Sequence, residues 1–257
     1  MFRVAALIPS PPVLVPELCG GHPDADPDHP AAELPALRSA VVEAGRILGR
    51  EANRWTIVGA GPDSHYRGAG TFAGFGADIR VGLSAGELDA ATAADPGWPC
   101  PLLIGAWLRG RIDAESAADG GIHARARLLA AGTGAAECAE FGAGLRAELD
   151  ADPDPQAVLI VADGAATLST RSPGYLDPRA EPEQRRIDHA LDTGDRAVLA
   201  GLDARLCAEL EVSGRPCYQV LAGLFGVEAA DPKVETRYRA APFGVGYHVS
   251  LWYPAEP

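Results

Sequence analysis

The side chains able to do chemistry in this sequence gather where apolar runs stop. The run Ala157-Val158-Leu159-Ile160-Val161-Ala162 ends abruptly in Asp163-Gly164 and continues as small and polar residues to Ser169. A carboxylate at such a point can accept hydrogen bonds, hold a proton or bind a cation, and ligands of open α/β sheets sit outside the carboxyl ends of the strands. Two more runs stop in the same way: Arg3 to Ile8 runs into Pro9-Ser10-Pro11-Pro12, and Trp55 to Val58 into Gly59-Ala60-Gly61-Pro62-Asp63-Ser64-His65. Asp63, Ser64 and His65 are the residue types of a hydrolytic triad. Three near neighbours on one turn do not align as nucleophile, base and orienter, so a solvated or hydrogen-bonded turn is the preferred reading. Cys217 stands near a helix start beside Arg215, and a buried, inert thiol is favoured over a reactive one. His22 to His29 holds two His and three Asp within eight residues. Its prolines and lack of Gly do not fit a calcium loop, and it reads as an acidic surface loop.

These turns need strands and helices to position them. The 157–162 run, short and rich in β-branched residues, predicts a buried central strand, with further strands at Arg3–Ile8, Trp55–Val58 and around Asp78–Leu83. Leu37, Val41, Ala44 and Leu48 recur at helical spacing, as do Cys138, Phe141, Leu145 and Leu149, the latter despite the helix-weakening Gly142 and Gly144. Leu102–Leu108 predicts the core of another helix. A helical pair broken near Gly194, a short helix through Leu206 and Leu210, and a helix from Gly214 to Phe225 follow. The tail predicts two antiparallel strands, Val234–Arg239 and Val245–Tyr253, with His248 seeking a cross-strand polar partner and His189 facing solvent. Strands separated by helices, with β at the end, imply an α/β fold: a mixed central β-sheet with helices on both faces.

The 257 residues show no internal repeat or linker, so one domain over 1–257 is expected. A net charge of −13 argues against a nucleic-acid or anionic-membrane partner, which would need clustered Lys and Arg. Five scattered cysteines without a CxxC pair suggest reduced thiols and a cytoplasmic location. The opening stretch, interrupted by Pro9, Pro11 and Pro12, suits neither a signal peptide nor a membrane helix. Heavy use of Ala, Gly, Pro, Arg and Asp with scarce Lys and Met suggests a GC-rich bacterial genome and carries no mechanistic weight.

Four segments together resemble the class III extradiol ring-cleavage dioxygenase family of the LigB type and its Memo-like relatives. Ala6 to Glu17 is similar to the family's opening strand and Pro-His-Pro-Pro turn, with Ser10 in place of the His. Ile57 to Asp63, with Phe75-Gly76-Ala77 downstream, is similar to its second strand, Pro-His turn and Phe-Gly. The 157–169 stretch matches its strand and Gly-Asp-Leu-Ser-His turn, followed by Ser172-Pro173-Gly174-Tyr175 and Thr193-Gly194-Asp195. Ala241 to Val249 looks like its last strand. The likeness runs in order along nearly the whole chain and implies a LigB-like three-layer architecture.

The resemblance also implies a mononuclear Fe(II) held by two His and a carboxylate, with a further His as acid/base. Carried over, the His ligands fall on Ser10 and Asp63, the third ligand falls in the Ser213–Cys217 window, which holds no Glu, and the acid/base His falls on Ala166 or Thr167. Neither Ala nor Thr shuttles a proton near neutral pH. Ordinary extradiol activity is therefore not expected, and the leading expectation is a metal-free protein with a pocket between Ser10, Asp63, His65, Asp163, Thr167, Ser213 and Cys217. Its ligand would be a small aromatic or other organic molecule. The competing enzymatic expectation is a rearranged site, Asp63, His65 and Cys217, holding Fe(II) or another divalent metal and opening a catechol-type ring. A third is an interaction or scaffold protein. Family likeness suggests a homodimer.

Overall fold

A computed structural model describes residues 1–19, 30–115 and 121–255. In chain order it contains β1 (Phe2–Ile8), α1 (Leu34–Glu51), β2 (Arg54–Ala60), β3 (Ala69–Thr71), β4 (Arg80–Gly82), α2 (Ala85–Ala90), β5 (Ala94–Asp95), α3 (Cys100–Glu115) and β6 (His123–Leu129). There follow α4 (Ala135–Ala151), β7 (Gln156–Val161), α5 (Ala180–Thr193), α6 (Arg196–Ala200), α7 (Ala204–Glu209), α8 (Arg215–Phe225), β8 (Lys233–Ala240) and β9 (Tyr247–Tyr253).

The main sheet has the order β6-β2-β7-β1-β9-β8. Its first four strands are parallel, and β9 runs antiparallel to both β1 and β8. The expected mixed sheet with helices on both faces is therefore present. Every residue of β7 is buried, because β1 and β2 flank it and helices cover both faces. Alternation along the strands divides the core in two. Val4, Ala6, Ile8, Leu159 and Val161 pack with α1 and α3, whereas Ala5, Leu7, Val58, Val158 and Ile160 pack with α4, α5 and α8.

The two glycines of α4 have different roles. A Cβ on Gly142 would lie 2.3 Å from the Val220 carbonyl oxygen, and one on Gly223 2.4 Å from that of Ala139, so α4 and α8 touch backbone to backbone. Gly144 faces open space. The expected break at Gly194 is a left-handed C-cap, with φ 74° and its N–H bonded to the Ala190 carbonyl. Strand β6 is an addition to the expected set. It is an edge strand whose Arg125 and Arg127 reach Glu148 of α4, so it carries charge where a buried strand would be apolar. No helix among the described residues is long and apolar enough to cross a membrane.

Candidate functional site

The register of the parallel strands determines which turns meet. Ile8 pairs with Val161, so Ser10 and Asp163 each stand two residues beyond the same rung. Ser10 donates its backbone N–H to Asp163 Oδ1 at 2.9 Å and its hydroxyl to Asp163 Oδ2. Asp163 in turn accepts the Gly214 N–H on its backbone carbonyl at 2.9 Å, tying β7 to the start of α8. The following residues cross to β9, with Gly164 donating to the Gly246 carbonyl and Gly246 to that of Ala165. Ala165 N–H is held by Gln184 Oε1 of α5 at 2.8 Å. The Asp163 turn is thus fixed by four separate parts of the chain.

These elements enclose a cavity of about 580 Å³ at the carboxyl edge of the sheet. Its floor carries Ser10, Asp163 and the Cys100 thiol, which donates to the Ser10 carbonyl at 3.2 Å. Its walls include Phe75, Cys207, Val212 and Tyr247, and Glu211 and Ser213 stand at the outer end of α7. Burial pushes the Asp163 carboxyl above the ordinary carboxylate range, opposed by the two Ser10 hydrogen bonds. Burial also raises the Cys100 thiol, to about 12, with the Asp163 charge adding to it, and the Cys207 thiol, to about 11. Tyr247 is raised as well, first by burial and then by Asp163. These groups are proton holders and hydrogen-bonding groups; none is an activated nucleophile.

Of the residues expected here from sequence, Ser10, Asp163 and Ser213 line the cavity and Asp63, His65, Thr167 and Cys217 do not. The reason for Asp63 lies in the register. Gly59 pairs with Val161, which puts Gly61 at the level of Asp163 and leaves Asp63 two residues farther out. Asp63, Ser64 and His65 are solvent-exposed, and His65 borders a separate small cavity with Glu87 and Arg125. Thr167 is buried and directs its hydroxyl to the Leu210 carbonyl at 3.3 Å, so Ala166, without a titratable group, is the residue on the cavity wall. Cys217 is fully buried in the core between α8 and the sheet, its thiol raised by desolvation, in agreement with the inert reading. The rearranged metal site of Asp63, His65 and Cys217 is therefore not assembled. Among the described residues no group of three or more His, Cys, Asp and Glu side chains is placed to hold a metal ion. The acidic loop His22–His29 lies outside the described residues.

The sequence reading missed Glu211, Tyr247, Cys100 and Cys207. Tyr247 had a usable signal, standing next to His248 at the start of a predicted strand. The others come from helix termini with no motif. The partner of His248 is not the expected cross-strand one but Asp192 of α5 (Nε2 to Oδ1, 3.0 Å), and cross-strand Arg239 binds the same carboxylate. His189 is exposed, as expected.

No family model and no curated protein matches the chain. Its fold is similar to that of an uncharacterized protein, JW3007, from Escherichia coli K12, with a TM-score of 0.51 and 14% identity over 98% of this chain and 99% of that chain. At that identity the likeness concerns the fold alone.

Proposed function

We propose that the chain is a divergent relative of the extradiol dioxygenases that keeps the sheet-edge cavity as a small-molecule site without ordinary iron-dependent ring cleavage. The observation that carries this reading is the engagement of Ser10. At the position where the family has a His ligand, both donors of Ser10 are directed to Asp163. A hydroxyl is a poor Fe(II) ligand beside an imidazole, and Asp63, aligned with the second His, lies off the cavity. The donor set does not fit a mononuclear Fe(II) held by two His and a carboxylate, so no reaction step is routed through iron. A cavity of this volume, with apolar walls and a few convergent polar groups, has the character of a small-ligand pocket.

Two measurements test the reading. Equilibrium dialysis against Fe(II) under anaerobic conditions, followed by exposure to oxygen and catechols, should give neither stoichiometric iron nor ring-opened product. A thermal-shift screen of small organic molecules should give stabilising compounds whose effect disappears in Ala208→Trp, where an indole on the exposed cavity wall blocks the entrance. Stoichiometric iron with oxygen-dependent catechol turnover would overturn the proposal.

A further inference from the structure

The charges lining the cavity are unequal in what they leave free. Arg215 is the one cationic side chain on its lining among the described residues. Its Nη1 is engaged by Gln219 Oε1, and its Nη2 by the carbonyls of Ala131 and Thr133. It is a structural tie between the β6–α4 turn and α8, with both ends occupied. Two carboxyl groups, Asp163 and Glu211, line the same cavity. Glu211 has no hydrogen-bond or ion-pair partner for its carboxylate among the described residues. It also has φ 54°, in the left-handed region that a side chain with a Cβ rarely adopts.

Glu211 is solvent-exposed at the mouth of the cavity. Its carboxylate lies beside Gly174, where a Cβ would come within 2.6 Å of Oε2 and Cδ. Tyr175, next in the chain, is the other non-glycine residue of positive φ among those described. The left-handed φ of Glu211 closes α7: the Val212 N–H bonds the Cys207 carbonyl at 2.8 Å and the Glu211 N–H that of Ala208 at 3.3 Å, a Schellman C-cap. A second polar group faces the cavity. Tyr247 is only 5% exposed, lines the cavity, and has no hydrogen-bond partner for its hydroxyl among the described residues. Phe75, 44% exposed at the rim, offers an aromatic face.

Resting on the pocket reading above, we infer that the cavity's ligand is an organic cation: an amine carried on a flat apolar body. Glu211 supplies the counter-charge, the Tyr247 hydroxyl and Asp163 carboxyl supply hydrogen bonds, and Phe75 covers the apolar body and favours the cation. An anionic ligand of the same shape would meet two carboxyl groups and an Arg that is already satisfied. The chain's net charge of −13 further enriches cations and repels anions at low salt.

The test is calorimetric titration of the full chain with three probes of similar size: phenethylamine, 2-phenylethanol and phenylacetate. Phenethylamine should bind about tenfold or more tighter than 2-phenylethanol, as expected for a charge-assisted hydrogen bond, with phenylacetate weakest. Glu211→Gln should remove the preference for the amine and leave 2-phenylethanol binding unchanged. Glu211→Gly, which relieves the backbone strain and cannot fail by adding bulk, should do the same while melting no lower than the parent. Ala208→Trp should block every probe that binds. Tighter binding of phenylacetate, or a preference for the amine that survives both Glu211 variants, would overturn the inference and leave the pocket reading standing. If none of the three binds, the inference falls and the pocket reading rests on the thermal-shift screen alone; if Ala208→Trp has no effect on binding, both fall.

Discussion

Ser10 and Asp163, 153 positions apart in the chain, are joined by two parallel hydrogen bonds across the ends of adjacent strands, one from the backbone N–H at 2.9 Å and one from the hydroxyl. This pair closes the floor of the cavity and holds the proline-rich turn after β1 to the turn after β7. The desolvated Asp163 carboxyl accepts both donors from Ser10, and among the described residues no cationic side chain bonds it.

Ser10→Ala removes one of those donors and should cost about 1–3 kcal/mol of stability, the range for a hydrogen bond to a charged or strongly polar buried group. Asp163→Asn keeps an acceptor for the Ser10 N–H and should cost less. Urea denaturation at neutral pH measures both, and a neutral Ser10→Ala would show the pair to be incidental.

The raised Asp163 carboxyl gives that comparison a pH dependence. Its folded pKa lies above its unfolded one, so the native state holds the proton longer and stability falls as pH rises from the ordinary carboxylate range through the folded value. The slope contributed by this group should vanish in Asp163→Asn. Denaturation curves collected from pH 3 to 8 on both proteins give the difference directly, and identical pH profiles would contradict the assignment.

Asp192 has the opposite sign. Burial would raise it, but hydrogen bonds from His248 and Thr236, with the charges of His248 and Arg239, bring it down to about 2. Its contribution, about 1–2 kcal/mol once solvent screening of the partly exposed carboxylate is allowed for, should be fully present above the unfolded carboxylate pKa and lost as pH falls from there through about 2. Asp188, one turn earlier on α5, is pushed upward by burial and works against this trend. Asp192→Asn should therefore destabilise the protein at pH 7 and make little difference at pH 2. An equal loss at both would mean that the ion pairs are not the source.

The α4–α8 contact predicts opposite outcomes for two similar substitutions. Gly142→Ala adds a Cβ where the Val220 carbonyl oxygen stands 2.3 Å away, and overpacking should outweigh the better helix propensity, a net loss of about 1–3 kcal/mol. Gly144→Ala meets nothing within 4 Å and should stabilise by about 0.5–1 kcal/mol. Thermal melts of the pair decide it, and parallel shifts in the same direction would refute the packing argument.

Thiol labelling checks the burial of the cavity floor. With pKa values near 12 and 11, Cys100 and Cys207 should resist iodoacetamide at pH 8 in the native protein and react promptly in urea, as should Cys217. Mass spectrometry of the labelled peptides assigns each site. Prompt native labelling of Cys217 would place it outside the core.

The sequence by itself determined most of the elements and one half of the site. Apolar runs and helical spacing report which face of a segment leaves water, a local property, so β1, β2, β7 and the helices α1, α4, α5 and α8 were legible within a few residues. Asp163 was found because a buried strand must end in a turn, and Ser10 because prolines mark the end of β1. Charged alternation concealed β6, since an edge strand has one side free to carry Arg. Only the tertiary structure decided which turns meet. The pairing of Ile8 and Gly59 with Val161 raises Ser10 to the level of Asp163 and carries Asp63 and His65 past it into solvent. It likewise buried Cys217 and brought Glu211 and Tyr247 to the cavity from separate elements. The physical reason is that hydrophobic period fixes which way a residue faces, whereas the distance between two turns depends on strand register and on loops that no local pattern encodes.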